Sequence, residues 1–179
     1  MNTAKEENMA SQEAKKLAQL IRRQVGEMSR LCEGLDEATA SRSPEGRWTP
    51  KMILSHLCGP EGIGIPSALQ AILQQETPLI EVEAANPYYS GRRPAMTLAE
   101  LLLEFKGQYG QMAEMVESLS DTQLARKAQV PLFKDSPIGE YPTLQMFILA
   151  MAEYHLTEHI NHMKEILTAP GFAPSKQPQ

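Results

Sequence analysis

The chain has 179 residues, of which 42% are hydrophobic and 22% charged, and its formal net charge is −5. That is the composition of one globular domain large enough to bury its own core without staples. The acidic balance disfavours nucleic acid and anionic membrane surfaces as partners, and two cysteines are too few for a disulfide framework and fit a reducing compartment. The first sixteen residues carry no apolar stretch of the secretory kind. The longest apolar run, Met146 to Ala152, is far short of the roughly 20 residues of a membrane span. A cytoplasmic protein is expected, with residues 1–169 forming one domain and residues 170–179 a disordered tail.

The first predicted helix runs from about Ala10 to Leu35. Leu17, Leu20, Ile21, Val25, Met28, Leu31 and Leu35 recur at helical spacing, and Gly34 suits a stop. The second opens at WTPKMILSHL. Thr49 is a good N-cap and Pro50 fits the first helical position. Met52, Ile53, His56 and Leu57 then share a face. The stretch CGPEGIGIP, with Pro60 and three glycines, predicts a break near residues 58–66, and helix is expected to resume through SALQAILQQ.

Residues 76–96 read as a long loop. The third helix begins at Thr97-Leu-Ala-Glu100, a capping box, and carries Leu98, Leu101, Leu102, Phe105, Tyr109, Met112, Val116 and Leu119 on one stripe. Residues 120–142 read as a short helical turn and a proline-rich loop. AQVPLF, residues 128–133, is the one segment that might have paired as a strand, and Pro131 argues against it. The fourth helix runs from about Thr143 to Thr168, ended by Pro170-Gly171. Four amphipathic helices without an alternating strand predict an all-α bundle.

The fourth helix holds three of the four histidines. Its apolar stripe reads Leu144, Ile148, Met151, His155, His159, His162, Ile166, so imidazoles are expected at core positions where Leu or Ile would be usual. Each buried imidazole needs partners for two nitrogens, and each unmade hydrogen bond costs about 1–3 kcal/mol. Neutral imidazoles turned toward a shared metal ion remove the problem. His155 and His159, four apart, can reach one ion; so can His159 and His162, three apart. His155 and His162 are about 10 Å apart along the axis and cannot easily share it. His56 is the remaining histidine and lies on the inward face of the second helix. Three histidines and an open position would give a centre of the catalytic type, and such ligands accept zinc, nickel, iron or copper. His155-Leu-Thr-Glu158-His159 also matches the inverted zinc-protease signature. Too little chain follows to supply that family's downstream carboxylate ligand, and Glu158 is expected on the solvated surface.

The pair of motifs WTPKMILSHL and HLTEHINHM, about a hundred residues apart, resembles the DinB/YfiT-like metalloenzyme superfamily across residues 10–168. The resemblance implies a four-helix bundle with up-down-down-up connectivity. It also implies a divalent metal, zinc or nickel, held by His56, His155 and His159, with His162 beside the ligands as the candidate for a supporting catalytic role. Members of known activity include transferases and isomerases that use a low-molecular-weight thiol. The implied function is a metal-dependent transferase or hydrolase acting on a small-molecule substrate, without nucleic acid or membrane partners. Two alternatives stand beside it: a non-catalytic metal-binding or stress-response module, and an interaction protein forming a homodimer through a helix face. One departure is plain: family members usually continue the second helix past its histidine, whereas here Cys58-Gly59-Pro60-Glu61-Gly62 breaks it. Among the other candidates, Cys58 and Cys32 are expected in the core, with a site-facing Cys58 thiol as the alternative. Trp48 reads as a hydrophobic anchor for the second helix. Arg92 and Arg93 read as solvated loop residues, with binding of an anionic substrate group as the alternative.

Overall fold

The computed structural model describes residues 10–44, 46–169 and 172. Every regular element among them is helical. Helix α1 spans Gln12–Cys32 and is started by the Ser11 side chain, which accepts from the Glu13 amide. Helix α2 is Pro50–Cys58, capped by Thr49, and α3 is Ile65–Gln74. Helix α4 is Leu98–Glu117, and both halves of the Thr97/Glu100 capping box are formed. The last helix begins behind Thr143 as α5, Leu144–Leu149, passes through a wide π turn at Ala150–His155, and continues as α6, Leu156–Thr168. Among the described residues, no helix is long and apolar enough to cross a membrane.

Packing follows from which faces are apolar. Helix α1 lies mainly along α4, and α2 packs against α4 on one side and α6 on the other. Helix α2 is therefore buried almost all round, not on one face alone: Ile53, Leu54, Leu57 and Cys58 are all in the core. Even Lys51 is buried, with its ammonium 3.4 Å from the Glu37 carboxylate. Burying eight of its nine residues is favourable because six of the eight are apolar or small.

The expected break after His56 is present and has an identifiable cause. Gly59 sits at φ 69° and Gly62 at φ 81°, a region that glycine enters without a Cβ clash. The carbonyls left over at the end of α2 are taken up by Arg93, which is fully buried. Its guanidinium donates to the Ser55 and Gly59 carbonyls and to the Glu104 carboxylate at 2.8 Å. Arg93 is thus a structural pin, neither the solvated loop residue its position suggested nor a free anion site. Arg92 pairs with Glu104 at 2.7 Å.

The segment around residues 126–130 does pair, but only through isolated bridges to residues 78–80 and 140–144. Pro131 starts a single 3₁₀ turn immediately afterwards, which ends the pairing. Of the tail at 170–179, only Phe172 is among the described residues. It is buried, with the Arg42 guanidinium 5.0 Å above its ring.

Candidate metal centre

The π turn decides how the last helix presents its histidines. The Leu156 amide reaches back to the Met151 carbonyl, five residues away. One extra residue in that turn shifts the register of everything after it. The buried apolar positions become Ile148, Ala152, Leu156, Ile160, Met163 and Ile166. His155, His159 and His162 each stand one residue before a member of that series. An unbroken α-helical register predicts all three within the stripe; instead they flank it, His159 buried and His155 and His162 half-buried. A helix with its core face occupied by Leu156 and Ile160 can turn the adjoining face toward α2.

There His155 and His159 meet His56. One ring nitrogen from each can be chosen so that all three lie within 4.8 Å of one another. A tetrahedral ion with nitrogen ligands at about 2.0–2.1 Å would hold them about 3.4 Å apart, so a small adjustment would admit one. The tautomers support the same conclusion. His56 donates Nδ1–H to the Asn86 carbonyl at 2.7 Å, which leaves its Nε2 as a bare lone pair. That lone pair faces Nε2 of His155 at 2.8 Å. If His155 supplies a proton there, its buried Nδ1 has a lone pair and no partner; if it does not, two lone pairs face each other. Nδ1 of His159 is likewise buried without a hydrogen-bond partner. A cation among the rings would take the facing Nε2 lone pairs of His56 and His155 as ligands and so remove the repulsion between them.

The electrostatics keep the rings neutral. Burial, with the neighbouring His56 adding repulsion, brings His155 down to about 4. Burial followed by the charges of His155, His56 and His162 brings His159 down to about 3. His56 is also lowered, chiefly by burial, with the Asn86 hydrogen bond opposing. Neutral imidazole is the form that ligates a metal.

The surrounding shell was only partly foreseen. Trp48 lies nearly parallel to His159, ring centroids 5.9 Å apart, and tilts against His56 at 5.0 Å and His162 at 6.2 Å. It is a wall of the site as well as an anchor for α2. The loop at Asn86-Pro87-Tyr88 was missed. Its Asn86 carbonyl orients His56, the Tyr88 ring stacks on His56 at 6.2 Å, and the Tyr88 carbonyl accepts from Ser55 at 2.9 Å. The available signal was the Asn-Pro dipeptide, which favours a turn; the Asn86 side chain accepts from the Tyr88 amide. His162 stands outside the close cluster, 6.1 Å from His159. Glu158 is exposed, as expected, and its charge opposes the lowering of His56 and His162. Both cysteines are buried and pushed up to about 12 by burial, so neither offers a thiolate to the site.

A cavity of about 520 Å³ adjoins the cluster, with His56 and His155 in its wall. It reaches the histidines past Gly59 and Gly64, where α2 and α3 are separated by the break.

Comparison with known proteins agrees with this architecture. A search of curated proteins gives no significant match. Among solved structures, the chain is similar to YfiT from Bacillus subtilis, described as a probable metal-dependent hydrolase with an unusual four-helix bundle topology. The TM-score is 0.71 at 19% identity, covering 88% of this chain and 87% of that one. At that identity the likeness speaks for the fold. The sequence model of the DinB superfamily matches residues 20–163, which include His56, His155, His159 and the helices that carry them. The chain belongs to the DinB superfamily.

Proposed function

We propose that this protein is a metal-dependent hydrolase of a small-molecule substrate, with a divalent ion held by His56, His155 and His159. The observation that carries the reading is the convergence of three imidazoles with a ring nitrogen of each within 4.8 Å of the others, the Nε2 atoms of His56 and His155 facing each other at 2.8 Å. An ion with three protein ligands keeps a position for water or substrate and supplies Lewis acidity and a lowered water pKa. The chain's own residues do the rest. The Asn86 carbonyl fixes the tautomer and rotation of His56. Trp48 and Tyr88 pack on the imidazole faces and limit water around them. We assign His162 to the wall of the site beside His159, not to the ligand set.

Thiol-dependent transfer or isomerisation at the same centre is the competing chemistry. Glutathione-like thiols carry carboxylates, and the cavity beside the histidines contains Glu81 and Glu83 but no lysine or arginine among its described lining residues. That lining favours hydrolysis. The test is elemental analysis of untagged protein, followed by metal titration of single and triple alanine variants of His56, His155 and His159. One equivalent per chain is expected in the wild type and none in the triple variant. A triple variant that still binds one equivalent overturns the assignment. A panel of ester and amide substrates, with and without added thiol, then separates hydrolysis from transfer.

A further inference from the structure

The cavity beside the histidines is larger and more apolar than a hydrolase of polar metabolites needs. Its volume of about 520 Å³ suits a ligand of drug-like size. Its inner surface is built from Leu57, Ile80 and Phe147, all buried, together with the half-buried Ala68, Ala71 and Met151. Exposed hydrophobic side chains also gather at its mouth. Ile63, Leu79 and Leu132 are 63%, 55% and 46% exposed, and all three line the opening. Large aliphatic groups left in water at the rim of a concave apolar surface mark a place where an apolar ligand is received. The charged side chains of the lining are Glu81 and Glu83, both exposed, the latter bonded to the Asn86 side chain at 2.7 Å. No cationic side chain among the described lining residues is available to an anion.

We propose that the substrate is an apolar molecule, neutral or cationic and lacking a carboxylate or phosphate. Its hydrocarbon or aromatic part lies in the cavity between α3, the residue 79–84 loop and α5, and its hydrolysable group lies at His56 and His155. The identity of the reacting group rests on the hydrolase reading; the selection for apolar, non-anionic ligands rests on the cavity alone.

The experiment is therefore done on chelator-treated protein by fluorescence titration. The probes are N-phenylnaphthylamine and its sulfonated counterpart, anilinonaphthalene sulfonate, which share one aromatic skeleton and differ by one negative charge. The neutral probe is expected to bind saturably, one per chain, and the sulfonate about tenfold or more weakly because two carboxylates and no cation face it. Ala71→Trp and, separately, Ala68→Phe fill the cavity and should each weaken the neutral probe by at least about tenfold. Circular dichroism melts identify any variant that fails to fold, so that the other one decides. Glu81→Lys should strengthen the sulfonate without strengthening the neutral probe. No binding of the neutral probe, or binding unaffected by either filling variant, overturns the cavity assignment. Equal binding of the two probes overturns the charge selection. Metal titration of the same samples reads the histidine centre independently, so failure of one assignment is distinguishable from failure of the other.

Discussion

Acid should destabilise the metal-free protein well before its carboxylates titrate, and the histidine cluster should be responsible. An imidazole in the unfolded chain takes up a proton near 6.5. In the folded protein, burial and mutual repulsion lower His155 to about 4 and His159 to about 3. Because the folded values are depressed, the unfolded chain binds more protons throughout the window between. Stability is therefore complete above about pH 6.5 and falls as pH drops toward 4. One such group contributes a slope of about 1.4 kcal/mol per pH unit, so at pH 5 each costs about 2 kcal/mol. Part of the His159 shift is repulsion from His155, and part of both shifts comes from His56, so the two are not independent and do not simply add. The expected total is about 2–4 kcal/mol, a large share of the roughly 5–15 kcal/mol of a typical domain. Glu100, Glu117 and Glu165 are lowered by hydrogen bonds to Thr97, Arg22 and Arg47, and whatever they contribute is lost only below about pH 4.5. The interval from pH 7 to 5 thus isolates the histidines. Urea unfolding of chelated protein at half-unit steps should show a falling midpoint at constant slope. The His155→Gln/His159→Gln double variant should fall clearly less steeply across the same interval, the remaining slope coming from His56 and His162, which burial also lowers. A wild type that is flat, or a double variant that falls as steeply, refutes the argument that these rings are held neutral by burial.

Other measurements bear on neighbouring parts of the site. Arg93→Met should destabilise the fold by about 3–5 kcal/mol in chemical denaturation, because it leaves Glu104 and the α2 carbonyls without their buried partner. Trp48 is the sole tryptophan and stacks on His159, so cobalt or nickel binding should quench its emission, and His159→Gln should remove the quenching. His162→Ala should retain one metal equivalent, with affinity or reactivity changed by about 10–100-fold, since the ring lies beside the cluster and not within it. Cys32 and Cys58 should resist a disulfide reagent in the native protein and react only as fast as it unfolds, since both are buried and carry strongly raised thiol pKa values.

Local chemistry alone determined where helices start and stop. The Thr97/Glu100 box, the Thr49-Pro50 start and the glycine-rich break after Cys58 each act within a few residues, so their outcome can be read without knowing what lies across the bundle. The spacing of His155 and His159 likewise makes them neighbours on any helix. Which way they point was another matter. The π turn at Ala150–His155 rotates the histidines off the apolar stripe. An unbroken stripe of period 3.6 gives no sign of it, because the sequence pattern fits an ordinary α-helical register equally well. The partners of His56 depend on contacts between residues far apart in the chain. Asn86 and Trp48 come from loops whose course follows from Ser55, His56 and the start of α2, not from their own composition. Arg93 read as a loop cation because nothing local reveals that the end of α2 leaves buried carbonyls for it to satisfy. The cavity is a property of no segment at all: it exists because the break between α2 and α3, the residue 79–84 loop and the start of the last helix fail to fill one shared volume, and only the tertiary structure decides a volume.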